Sequence, residues 1–126
     1  MVFVGTDRPN GTDTSHHCLY AIGAETGEKA WTWCVPLGIQ SSPAATEASV
    51  FVAAPADGPT AALFALDAKT GAVQWRFKPP SMTRGLDAAV GLSPENRTIV
   101  GGGGGCEYSH SCKPPCSAAM IAASDP

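Results

Sequence analysis

Residues 63–77 read L-F-A-L-D-A-K-T-G-A-V-Q-W-R-F, and the same phrase stands 44 residues earlier. There L-Y-A-I-G-A-E-T-G fills residues 19–27, and Trp31 takes the place of Trp75 with no gap. In the second copy Leu63, Ala65 and Asp67 alternate with Phe64, Leu66 and Ala68, and Val73, Trp75 and Phe77 alternate again after the break at Lys69-Thr70-Gly71. That is the period of two strands about a short turn, a β-hairpin. Gly71 supplies the positive φ such a turn needs, and Asp67 stands where its carboxylate accepts from the turn amides. A hairpin repeated at a fixed period of this size restricts the chain to a solenoid, an array or a propeller.

Further strands fall in order around the two hairpins. Val2-Phe3-Val4-Gly5 is a first strand, followed by a polar segment, residues 6–17. Residues 18–22 and 29–34 form its hairpin, with Trp31 and Trp33 on one face. Ser41-Ser42-Pro43-Ala44-Ala45-Thr46 reads as a short strand of small residues, its proline near the start where a strand tolerates one. Residues 50–54 repeat the opening V-F-V. Residues 87–92 parallel the small strand, Thr98-Ile99-Val100 parallels V-F-V, and residues 118–123 open another hairpin. Lettered a to d, the strands run b-c-d, a-b-c-d, a-b-c. The expected units are an incomplete one over residues 1–40, a complete one over 41–85 and an incomplete one over 86–126. Four antiparallel strands in about 40 to 50 residues is the blade of an all-β propeller, an architecture shared with WD40 repeats.

The S-S-P-A opening, the V-F-V strand and the L-[YF]-A-[IL]-x-A-x-T-G-x-x-x-W hairpin resemble the PQQ-type (pyrroloquinoline quinone) β-propeller repeat. The resemblance covers the chain, strongly in the first two units and weakly in the third. It implies an open fragment of about two and a half blades. The family's docking motif maps onto Ala65, Asp67, Gly71 and Trp75, and in the first unit onto Ala21, Gly27 and Trp31. Gly23 stands there in place of the aspartate. By this resemblance each tryptophan packs between adjacent blades. The repeat occurs in quinoprotein dehydrogenases, in outer-membrane assembly scaffolds and in proteins without a known cofactor. In the dehydrogenases PQQ and a calcium ion lie over the axis of a closed ring, held by residues from several blades and often by a vicinal disulfide. This chain has no adjacent cysteine pair, and its blades are too few to surround an axis. No catalytic residue carries over.

Composition narrows the partners. Eight Lys and Arg against eleven Asp and Glu give a net charge of −3, no footprint for nucleic acid or an anionic membrane. No apolar run is long enough to span a bilayer. Met1 opens directly on Val2-Phe3-Val4 without a basic leader, which leaves open a cytosolic protein or a chain that begins mid-gene. Five cysteines (Cys18, Cys34, Cys106, Cys112 and Cys116) and two glycosylation sequons, at Asn10 and Asn96, lean towards a secretory or extracellular compartment. There the cysteines are enough for two disulfides with one left over.

The candidate sites lie in loops. The b-to-c connections, residues 6–17, 55–60 and 101–117, emerge on the same face as the d-to-a connections 36–40 and 78–84. Loops on a rigid scaffold carry function, so a protein partner or small ligand is expected on that face. Other blades of the same propeller, or further copies of the chain, are expected at its ends. Cys106, His110, Cys112 and Cys116 are the one cluster with zinc-ligand chemistry. Their spacings match no common structural zinc pattern, and a disulfide from Cys106 to Cys112 or Cys116 is the favoured alternative. His16 and His17 lie on the same face but read as solvated, as do Asp57, Arg84 and Asp87. The glycine run at 101–105 fails as a phosphate loop, because Cys106 takes the next glycine's place and no helix follows. The sequence thus favours a binding or scaffold module without a self-contained catalytic site. The alternatives are a fragment of a PQQ-dependent dehydrogenase acting on alcohols or sugars, and a small metal-binding loop.

Overall fold

The computed structural model describes residues 1–6, 17–36, 38–39, 41–57, 60–78, 90–92, 98–104 and 118–124, with the backbone alone for 55–61, 98–104 and 118–124. Among the described residues there is no helix, and ten strands form three antiparallel sheets. The first sheet joins β1 (Val2–Gly5), β2 (Cys18–Ile22) and β3 (Lys29–Cys34) in that order. The second is four-stranded: β4 (Ala44–Ala45), β5 (Ser49–Asp57), β6 (Thr60–Asp67) and β7 (Val73–Phe77). The third joins β8 (Gly91–Leu92), β9 (Thr98–Gly104) and β10 (Ala118–Ser124). The chain is all-β, in open antiparallel sheets of three and four strands.

The repeated hairpin is held by its turn. In the second sheet Asp67 Oδ1 accepts from the backbone N–H of Lys69 at 2.8 Å and of Thr70 at 2.9 Å, while the Gly71 N–H reaches the Asp67 carbonyl at 2.9 Å. Gly71 has φ +75°, a conformation that costs any residue with a β-carbon. In the first sheet Gly27 has φ +70° and donates to the Gly23 carbonyl in the same way. There the aspartate is absent; as the Ala72 N–H donates to the Thr70 hydroxyl at 3.3 Å in the second turn, so the matching bond is kept here by Thr26. Its hydroxyl accepts from the Glu28 N–H at 3.2 Å and lies 2.6 Å from where a β-carbon on Gly23 would stand.

Four strand assignments are corrected. The small strand expected over 41–46 shortens to Ala44–Ala45, because Pro43 has no N–H to donate. Ser41 restores the lost rung with its side chain: its hydroxyl donates to the Ala53 carbonyl at 2.9 Å and accepts from the Ala53 N–H at 3.1 Å. The loop expected over 55–60 is largely strand, β5 running to Asp57 and β6 resuming at Thr60, with Pro55 beside a register irregularity. Of the strand expected over 87–92, Gly91–Leu92 are strand and Val90 is not, while 87–89 lie beyond the described residues. Gly101 to Gly104, taken for the start of a loop, belong to β9 and face Ile121 to Ala118 across the ladder. Glycine favours neither strand nor packing, but opposite an alanine-rich strand its backbone pairs as any other does.

The middle sheet is buried on both faces along β5 and β6, from Val50 to Ala54 and from Ala62 to Leu66. Val50, Val52, Ala54, Ala62, Phe64 and Leu66 pack with Leu19, Ala21, Trp31, Val35 and Ile39 of the first unit. Phe51, Ala53, Leu63 and Ala65 point the other way and pack with Val90, Trp75 and Leu92. From Val50 to Ala54 no residue is more than 2% exposed. Neither burial nor hydrophobicity therefore alternates from Val50 to Ala54.

Candidate functional site

What positions any site here is the contact between the first and second sheets. Trp31 is buried; its indole N–H donates to the Ala68 carbonyl at 3.0 Å, thirty-seven residues on. The ring lies against Gly71, so closely that a β-carbon there would sit 2.6 Å from a ring carbon. Phe3 supports it at 5.8 Å between ring centroids, and Trp33 packs on Phe64 at 4.9 Å. The turn of one hairpin is thus seated on the aromatic face of the hairpin before it. A buried indole N–H needs an acceptor, and the outward carbonyl of a tight turn supplies one. Trp75 is half-buried against Phe51, 6.0 Å away. Ala21 faces Trp31 and Ala65 faces Trp75 across their hairpins, so every residue of the motif is on the strand pair or the turn where the repeat puts it.

The loop end of the first sheet is tied down by a compact network. The Thr6 N–H donates to the Cys18 carbonyl at 2.9 Å. The Thr6 hydroxyl donates to that same carbonyl at 3.0 Å and accepts from the Cys18 N–H at 3.1 Å. The Thr6 carbonyl accepts from Ile39 at 3.3 Å, and Val35 donates to the carbonyl of the buried His17 at 2.9 Å. Cys18 and Cys34, directly opposite in the ladder, form a disulfide with their Cα atoms 4.0 Å apart. The sequence left this pairing open. A groove of about 370 Å³ runs from this end along Phe3, Val4 and Gly5 to Ser41, Ser42 and Pro43. At the turn end a groove of about 720 Å³ is lined by Met1, Phe3, Ala45, Thr46, Glu47, Ala68 and Lys69, mostly apolar.

At Asp67 the Thr70 N–H, then that of Lys69, hold the carboxylate below the usual range. It lies at the turn end and serves the turn. His17 belongs to the loop end; it is buried where the sequence suggested solvation. Asp57 ends β5. Cys106, His110, Cys112 and Cys116, with His16, Arg84 and Asp87, lie outside the described residues. Among the described residues no three His, Cys, Asp or Glu side chains converge on a point that could hold a metal ion. These residues alone do not fit the calcium ion that accompanies PQQ, and no chemical step is derived through that group.

The family model for PQQ_2, described as outer membrane protein assembly factor BamB, matches residues 2–106. The chain belongs to the PQQ-type β-propeller repeat family. Its sheets are accordingly blades of an open, partial propeller. No curated protein and no solved structure matches the chain.

Proposed function

We propose that this PQQ-type segment is a non-catalytic binding or scaffold module, working through the face that carries the b-to-c and d-to-a connections. The observation behind the reading is the seating of the Ala68–Gly71 turn on Trp31, which fixes one blade against the next. Blades fixed in this way hold their loops in a constant relation, and such loops serve recognition. The family description names an outer membrane protein assembly factor, and the scaffold reading agrees with it. We assign the seven motif residues Ala21, Gly27, Trp31, Ala65, Asp67, Gly71 and Trp75 to blade docking. The three blade units are taken as residues 1–40, 41–85 and 86–126, with other blades or further copies of the chain as neighbours.

Two measurements on the full chain test it. Incubation with PQQ and calcium, followed by dye-linked oxidation of alcohols and sugars, should give no turnover and no retained quinone. A photo-crosslinker at Pro36, on the loop end, should capture a defined protein, whereas one at Glu25, on the opposite turn, should not. Quinone-dependent dye reduction would establish the dehydrogenase reading instead. Indistinguishable crosslinking from the two ends would remove the loop face as the working surface.

A further inference from the structure

The Cys18–Cys34 disulfide is placed unlike a core staple. It joins two residues that already face each other on the last rung of β2 and β3, so the hairpin does not depend on it for its register. The two halves differ in access: Cys18 is 1% exposed and covered, whereas Cys34 is exposed and stands on β3, an edge strand of its sheet. The rung also continues through other bonds. Cys18 is held by Thr6 through three hydrogen bonds, Thr6 holds Ile39, and His17, next to Cys18, holds Val35. Cys34 and Val35 begin the d-to-a connection, while Thr6 and His17 are the two feet of the b-to-c loop. One covalent bond thus closes the base of both connections at once.

We propose that the Cys18–Cys34 disulfide is a thiol-exchange site, opened at Cys34 by a dithiol reductant, that sets how tightly the loop end is tied down. A thiolate of the reductant attacks Cys34 Sγ in line with the S–S bond. A mixed disulfide forms, and the electron pair leaves on Cys18 Sγ, which takes a proton from solvent. The second thiol of the reductant then attacks its own sulfur in the mixed disulfide, releasing Cys34 and leaving the reductant as a cyclic disulfide. Two electrons pass from reductant to protein. Attack at Cys34 follows from access, since exchange requires approach to one sulfur along the bond axis. Exposed disulfides are the ones open to exchange. The sheets survive the step, because Trp31 and Trp33 remain packed on the second blade. What loosens is the rung: with β2 and β3 free to part at their end, the amides of Thr6, Val35 and Ile39 open more often.

The test uses the full chain with Cys106→Ser, Cys112→Ser and Cys116→Ser, so that only this pair can respond. Dithiothreitol is titrated under native conditions, thiols are counted by iodoacetamide mass, and amide exchange is followed. Two thiols should appear together with strand content unchanged by circular dichroism, and Cys34 should alkylate before Cys18. Exchange at Thr6, Val35 and Ile39 should quicken by about tenfold or more while Val52 and Leu66 stay within twofold. A Cys18→Ser/Cys34→Ser chain should show the same pattern without reductant; where it does not fold, the reduced chain gives the result alone. The proposal is overturned by a bond that yields only on unfolding, by Cys18 alkylating first, by exchange that changes everywhere or nowhere, or by free thiols in the aerobically purified chain.

Discussion

Gly27 and Gly71 hold the same place in two copies of one turn, at φ +70° and +75°, yet their surroundings differ. Nothing lies within 4 Å of a β-carbon placed on Gly27, whereas at Gly71 three ring atoms of Trp31 do, two of them at 2.6 and 2.7 Å. Gly27→Ala should therefore cost only its backbone strain, about 1–2 kcal/mol. Gly71→Ala should cost clearly more, because it also lifts Trp31 from the Ala68 carbonyl. Urea midpoints of the two variants decide this, and equal losses would contradict the seating of the turn on Trp31. Asp67 gives a pH effect of known sign. Its folded pKa is lowered, so its contribution to stability is present above the ordinary carboxylate value and fades as the pH falls through the folded one. Asp67→Asn keeps an acceptor for the turn amides but cannot titrate. Thermal melts should show it below wild type at neutral pH, with a shallower loss on acidification that brings the two together; an unchanged acid slope would count against this. Gly71 and Trp75 were legible because they recur, as Gly27 and Trp31, at matched positions, and Asp67 because its carboxylate suits the turn amides. The bonds of Thr26 and Thr70 were not, since the recurrence of the threonine does not say which turn amide its hydroxyl takes.

Among the elements, β1, β2, β3 and β7 follow the expected boundaries, because their flanking turns carry glycine, proline or clustered polar residues. The Cys18–Cys34 pairing was not legible. It depends on the register irregularity between Ala21 and Ile22, which shifts the whole upper ladder by one residue and leaves no mark in composition. The extent of β9 was hidden for another reason, since a run of glycines carries no strand periodicity. Once Gly104 is seen to face Ala118, the residues between them bridge a short gap. Replacing 105–117 with Asn-Gly should leave the strand signal in circular dichroism intact. If that signal falls by the share of a whole sheet, those residues hold the third blade together. The metal and disulfide alternatives for Cys106, His110, Cys112 and Cys116 lie in that same stretch, outside the described residues.

At the scale of the molecule, β5 and β6 of the middle blade are covered on both faces, while β1 of the first blade and β7, the last strand of the middle one, are not. Val2 and Val4 on β1 are 49% and 42% exposed, and Val73 and Phe77 on β7 are 50% and 41% exposed. The contrast falls between copies of one motif, since Val50 and Val52, in the same V-F-V triplet as Val2 and Val4, are fully buried. Apolar faces of that kind associate. The isolated 126 residues should elute above monomer mass by size-exclusion chromatography with light scattering at micromolar concentration. A cooperative monomer would show that these faces are satisfied within one chain.

The bond from Trp31 to Ala68 also gives the array a direction in time. Its donor is synthesised thirty-seven residues before its acceptor, an interval of seconds at ordinary elongation rates of about 5–20 residues per second. Through that interval the first blade has its strands but not its seat, and the aromatic face of Trp31 and Trp33 waits uncovered for the turn still to come. The first blade is thus finished by the second. Arrested chains carrying Trp33→Phe and ending at residue 62 or 74 would display the moment, the longer one shifting Trp31 emission to the blue.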